Sequence, residues 1–374
     1  MTPAHRRHTT LALAFVAALA LALPARAEAE NGMTRGSVAL KSIGALAFGP
    51  GNVLFLADSE GAAVWAVDVG EAKATEWGRE GVQDLDEKIA ALLGTSPRDV
   101  FVMDMAVHAG SGRAFISVMR GRDDAAVPAL VSVGGDGKVA VVPLDDVPHG
   151  KLDIANAPAE DAKLYSWDSR TFTVTDLEFI DGELYVTGLS NEEFASTLRR
   201  VPFPFGKQPS VTSLEIYHGA HGAFETFAPI FSFIPYAIAG RQHLLAGYLC
   251  TPLVTFPLEE VKQQKKLRGK TIAELGWGNI PTDIVAYEND GESYVLISNN
   301  RRGTMRIKGS DIVAANARDG ITTEAGPRTG LDYETVPLGH VAQLATLDAG
   351  RILVLNRAME NGALSLAARP TSRL

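Results

Sequence analysis

The chain has 374 residues, with 35 Lys and Arg against 44 Asp and Glu, for a formal net charge of −9. This acidic balance speaks against nucleic acid or anionic lipid as a partner, and the 46% apolar content is that of a globular protein. The one cysteine, Cys250, rules out an internal disulfide and is expected as a small buried hydrophobe; the lack of a Cys-x-x-Cys-His run rules out covalent c-type haem.

In chain order, the first feature is a targeting segment. Arg6 and Arg7 precede an uncharged apolar run over 11–23, followed by Pro24-Ala25-Arg26-Ala27. A basic start, a short apolar run and small residues at a cleavage site predict a secretory signal peptide over 1–27. The run is shorter than the ~20 residues of a spanning helix, and no later run could span. Residues 28–374 are therefore expected as one domain in the periplasm or secreted.

A repeat follows: apolar strand, tight turn, second apolar strand, polar loop, third strand. The first unit has strands over 45–48, 53–57 and 63–69. The second has 104–107, 113–118 and 129–133. The third has 176–179, 183–187 and 197–202. The fourth has 235–238, 243–247 and 253–257. The fifth has 283–286, 293–298 and 304–307, and the sixth 341–344, 351–355 and 363–367. Between first and second strands stand turns such as Asp181-Gly182 and Asn289-Asp290-Gly291, which supply the positive φ of tight hairpins. A period of about 60 residues predicts an all-β propeller of six blades, each a four-stranded antiparallel sheet, with seven shorter blades as the alternative. Residues 37–40 are expected to add an outer strand to the last blade and close the ring.

Helices are expected over 84–93, with Gly94 as C-cap, over 190–198 from the capping box Ser190-Asn191-Glu192-Glu193, and over 259–266.

In such a ring, residues far apart in sequence meet at one mouth. Asp104, Asp176 and Asp283 each precede an inner strand at the same step, and His340 is placed at that step in the sixth unit. The ring of carboxylates either caps backbone N–H groups or holds a hard divalent cation such as calcium. A second group, His218, His221 and Glu225, stands in the loop His218-Gly219-Ala220-His221-Gly222-Ala223-Phe224-Glu225. It either bonds backbone carbonyls or binds zinc, copper or iron, with His149 as a further candidate ligand and His221 as the one candidate catalytic base. Apolar residues beyond it, among them Phe224, Phe227 and Phe231, suggest a plug over the mouth. A third group, Asn299, Asn300 and Arg301 with Asn356 and Arg357, either shapes turns or holds a polar ligand.

The unit Pro281-Thr282-Asp283-Ile284-Val285-Ala286, with Asp290-Gly291 and Tyr294-Val295-Leu296-Ile297-Ser298-Asn299, resembles those of the NHL, SMP-30/gluconolactonase and YncE-like propellers. In SMP-30-like propellers, channel Glu, Asn and Asp residues hold a divalent metal that serves lactone hydrolysis. Asn299 and Asp283 resemble two of these positions; no matching Glu stands near Ala45.

No GxSxG elbow, P-loop or GxGxxG is present. The expectation is a periplasmic propeller that binds a small-molecule ligand or a protein partner through one mouth. The alternatives are a calcium- or zinc-dependent lactonase or esterase and an accessory to a periplasmic oxidoreductase.

Overall fold

The computed structural model describes residues 32–374; the signal peptide expected over 1–27 lies outside the described residues. Six antiparallel sheets form the blades of a propeller, numbered I to VI in chain order. The inner strands are Leu46–Phe48, Val100–His108, Asp176–Ile180, Ile230–Ile238, Pro281–Asn289 and Val341–Asp348. Second strands such as Val53–Asp58 are buried along their whole length. A strand in the middle of a blade is covered on both faces by neighbouring blades, so it reads as a continuous apolar run. At Asp181-Gly182, Ala239-Gly240 and Asp290-Gly291 both turn residues have positive φ, the two-residue hairpin geometry that glycine eases.

The order of blades around the axis differs from their order in the chain. The inner strand of blade I packs against those of blades II and III, and that of blade VI packs against those of blades V and II. The ring therefore runs II, I, III, IV, V, VI and back to II. The chain lays down three strands of blade I and builds blade II on one side. It then returns through Val147–Asp153, which pairs with Ala63–Asp68 as the fourth strand of blade I, and continues to blade III on the other side. Six apolar cores fill the junctions. One example joins Leu54, Leu56 and Trp65 of blade I to Phe115 and Leu130 of blade II; another joins Ile116 and Val131 of blade II to Leu353 and Leu366 of blade VI.

Closure does not use residues 37–40. Thr34–Gly36 pairs instead with Val147–Asp153 at the edge of blade I, and residues 37–40 form no strand. Among the described residues blade VI has three strands. Its open edge is met by Val82, which exchanges two backbone hydrogen bonds with Leu366, at 2.8 and 2.9 Å. Helix α1, Leu85–Leu93, packs over the same junction of blades II and VI and ends at Gly94 in the left-handed conformation, as its sequence predicts.

The helix expected over 190–198 is absent: Ser196–Pro202 is the third strand of blade III. Ser190 Oγ accepts the Glu192 N–H and meets Thr197, so it makes a turn instead of a helix cap. The stretch 259–266 is split into helix α2, Leu258–Gln263, and the strand Lys266–Arg268. Helix α3, Gly309–Asn316, follows the third strand of blade V and was not signalled by the sequence. Among the described residues no helix is long and apolar enough to cross a membrane.

Candidate functional site at the propeller mouth

The three aspartates come together on the axis. Asp104, Asp176 and Asp283 line one cavity of about 410 Å³ with Glu178. Each aspartate uses one oxygen for the N–H of its own successor: Met105 at 2.7 Å, Leu177 at 2.8 Å and Ile284 at 2.7 Å. Each uses the other for the equivalent N–H of the next blade: Leu46 at 2.6 Å, Phe233 at 2.8 Å and Leu344 at 2.7 Å. The clamps join blades II to I, III to IV and V to VI, every second junction of the ring. Opposite each aspartate on the second strand stands a hydroxyl, Ser117, Thr187 or Ser298. The alternate blades carry Ala45, Ser232 and Gln343 at this step. The propeller thus has a pseudo-threefold pattern of two blade types.

Burial is the main cause that raises these carboxyls, and repulsion from Asp104 adds to it at Asp176, Glu178 and Asp283. Asp104 is pushed up to about 7 and Glu178 to about 8, while Asp176 and Asp283 are also held well above the usual range. His340 is not at the aspartate step in blade VI. Val341 opens the strand, an irregularity lies between it and Gln343, and Gln343 takes the position, donating to the Met103 carbonyl of blade II at 3.1 Å. His340 is exposed, and its own carbonyl accepts the Arg357 N–H.

The Asn and Arg candidates sit in loops. Asn299 Oδ1 accepts the N–H groups of Arg301 and Arg302, and its amide donates to Gly303. Asn300 Oδ1 accepts the Ile280 N–H at 2.9 Å. Asn356 donates to the Leu338 carbonyl and Arg357 to that of Gly362. These side chains fix turns, while Arg301 and Arg302, beside the exposed Asn300, leave their guanidinium groups in solvent.

The histidine loop forms the second cluster. Strand Ser210–His218 of blade III turns at Gly219 to Gly222 into Ala223–Glu225, with Glu225 opposite Ile216. Side chains two residues apart share a face of a strand, so Glu225 meets His218. His218 Nδ1 donates to one oxygen of Glu225 at 2.9 Å, and His221 Nδ1 donates to the other. One carboxylate therefore orients two imidazoles and leaves Nε2 of each free. Cys250 joins them from the turn after Arg241–Tyr248 in blade IV. Ligand atoms of His218, His221 and Cys250 all lie within 4.8 Å of one another. His149 is elsewhere, on the outer strand of blade I beside Trp65.

Cys250 is not the inert thiol that its isolation suggests. Cys250 and Thr251 are both left-handed, with φ of 71° and 65°. That is strained for a β-branched threonine and typical of functional turns. Hydrogen bonding with His218 holds the thiol below its usual range despite burial, and the Gly278 N–H adds to this, donating to Sγ at 3.0 Å. Burial alone would lower His218, but Cys250, Glu225 and Glu274 outweigh it and raise the imidazole to about 9. Burial would likewise raise Glu225, yet its two histidine partners hold it down.

Glu274 is a fully buried second carboxylate that no sequence pattern singles out. It ties the loop through the Gly219 N–H at 2.7 Å, and its other oxygen has no hydrogen-bond partner. His218 is 1% exposed, and its Nε2 also lacks a partner of proper hydrogen-bond geometry, although the Cys250 sulfur is near enough to perturb it. Cys250 is half-buried, and the His221 side chain is 43% exposed, so the cluster opens to solvent. Tyr165, at the tip of the hairpin Lys163–Leu164 and Trp167–Asp168, stacks edge-on against Phe227 and feels the charges of Glu225 and Cys250.

Pairing the lone cysteine with the His-x2-His spacing was the one sequence signal that could have singled out Cys250. No family model matches the chain and no curated protein matches it; what the structure shows is the six-bladed propeller arrangement.

Proposed function

We propose that this chain is an exported propeller that holds a transition metal, zinc or copper, between His218, His221 and Cys250, and presents it at the mouth to a small ligand. One observation carries the reading. Two imidazoles and a thiol from two blades converge, and both imidazoles are anchored at Nδ1 by the same buried carboxylate. Metal-binding histidines characteristically pass their second nitrogen to such a carboxylate. The buried Nε2 of His218, perturbed by the Cys250 sulfur but without a hydrogen bond of proper geometry, supports it, since buried polar atoms ordinarily have partners. A thiolate and imidazole set selects zinc or copper over calcium. Three protein ligands leave a position for a ligand, where the ion would act as a Lewis acid. The channel aspartates give no separate support to a calcium-dependent lactonase, because their contacts to backbone N–H groups, one to each oxygen, already account for their placement.

The test is elemental analysis of the purified protein together with Co(II) titration. One equivalent of zinc or copper, and a sulfur-to-cobalt charge-transfer band, are expected. Both should be lost in His218→Ala and Cys250→Ser. Absence of stoichiometric metal, or retention of the band in Cys250→Ser, would overturn the reading.

A further inference from the structure

Beside the cluster lies a cleft of about 380 Å³ walled by Trp167, Phe172, Phe231 and Ile280, with Ser166 and Thr171 among its polar lining groups. The rings are in mutual contact: Trp167 to Phe172 at 5.7 Å between centroids and Phe172 to Phe231 at 5.8 Å. Trp167 is 39% exposed, a large apolar ring left in water. The acid of the lining, Asp168, is already paired with Lys163. The loop 276–280, which joins blade IV to blade V, connects this cleft to the cluster. Ile280 is in the cleft wall, and the Gly278 N–H meets Cys250 Sγ.

Positive charge from the turn after Glu292–Asn299 lies against the same loop. Arg301 and Arg302 lie against its glycines: a Cβ on Gly276 would fall 2.4 Å from Arg302 Nε, and one on Gly278 would fall 3.3 Å from Arg301 Nη1. Both arginines are exposed, and neither forms an ion pair among the described residues. Two unneutralised guanidinium groups on a chain of net charge −9 are a specific local preference for an anion.

We propose that this rim is a subsite for a small aromatic carboxylate, its ring in the Trp167–Phe172–Phe231 cleft and its carboxylate toward Arg301, Arg302 and the ion at His218, His221 and Cys250. The inference rests on the metal reading for the last of these contacts. A cleft of this volume, apolar with a few polar groups, fits a small molecule of one ring and a short tail. The aromatic walls favour a flat ring over an aliphatic chain.

The experiment uses the purified protein loaded with Co(II) and three probes: 3-phenylpropionate, acetate and 3-phenylpropanol. Binding is followed by the cobalt spectrum and by calorimetry. Phenylpropionate should bind at least about tenfold more tightly than either comparator. Trp167→Ala should abolish the margin over acetate. The Arg301→Ala, Arg302→Ala double variant should abolish the margin over the alcohol. Cobalt stoichiometry should be unchanged in both. Equal affinity for the three probes, or margins that survive the substitutions, would overturn the subsite. A protein that takes up no cobalt would overturn the metal reading alone, and calorimetry with the same probes on the metal-free protein would still decide for or against the subsite.

Discussion

Glu225 does more at the cluster than any single ligand, because it sets two imidazoles at once. Glutamine at this position keeps the size but offers one carbonyl oxygen and an NH2 group, so only one Nδ1–H retains an acceptor. Glu225→Gln is therefore expected to bind metal about 10- to 100-fold more weakly, the usual cost of losing a carboxylate behind a metal-binding histidine, with the fold intact. Chelator competition with the variant measures this. An unchanged affinity would mean that Glu225 serves the loop and not the ligands. Glycine matters here at one position in particular: a Cβ on Gly219 would stand 2.8 Å from Ala325 and 2.9 Å from Glu274 Oε1. Any larger residue would push the loop off the carboxylate that ties it down.

At the scale of elements, the inner strands are joined in pairs by aspartates. Removing one side chain strips an acceptor from two backbone N–H groups, one in each of two blades. Asp283→Ala leaves those of Ile284 and Leu344 unpaired. An unsatisfied buried donor costs about 1–3 kcal/mol, so a clear fall in thermal stability is expected, with metal content unchanged. Loss of metal in this variant, with stability retained, would reassign the aspartate from clamp to ligand. Circular dichroism melting and elemental analysis of the same sample separate the outcomes. The clamp also explains why Asp-containing and Asp-free blades alternate: one carboxylate serves two adjacent inner strands, so every second blade needs none.

At the scale of the whole molecule, four carboxyls share the channel, and the ring must tolerate them. Their pKa values are raised in the folded protein, Asp104 to about 7 and Glu178 to about 8. The folded state therefore keeps protons that the unfolded chain releases above about pH 4. Where the native state binds more protons, stability falls as pH rises. This contribution is fully present below about pH 4 and is lost as pH climbs through the folded values. The melting temperature is expected to be lower at pH 8.5 than at pH 5.5. Among the described residues Glu178 has no hydrogen-bond partner that its carboxylate would forfeit in Glu178→Gln, so this variant should melt about 2 °C higher at pH 8.5 and little differently at pH 5.5. A pH-independent difference between variant and wild type would remove the channel charge as its cause.

The sequence by itself determined the repeating hairpins, and its period favoured six blades over seven. Those features are local: alternating apolar runs, Asp-Gly turns and a period near 60 residues act within each unit. It also placed Asp104, Asp176 and Asp283 at one step of the repeat. Only the tertiary structure decided the rest. Blade II lies between blades I and VI because Val147–Asp153 returns to pair with Ala63–Asp68, and no local pattern states which edge a distant strand will meet. His340 yielded its expected place to Gln343 because an irregular step in the strand shifts the register. Cys250 joined the histidines for the same reason: a turn in one blade and a hairpin in the next are far apart along the chain, and packing between blades is what puts their side chains together.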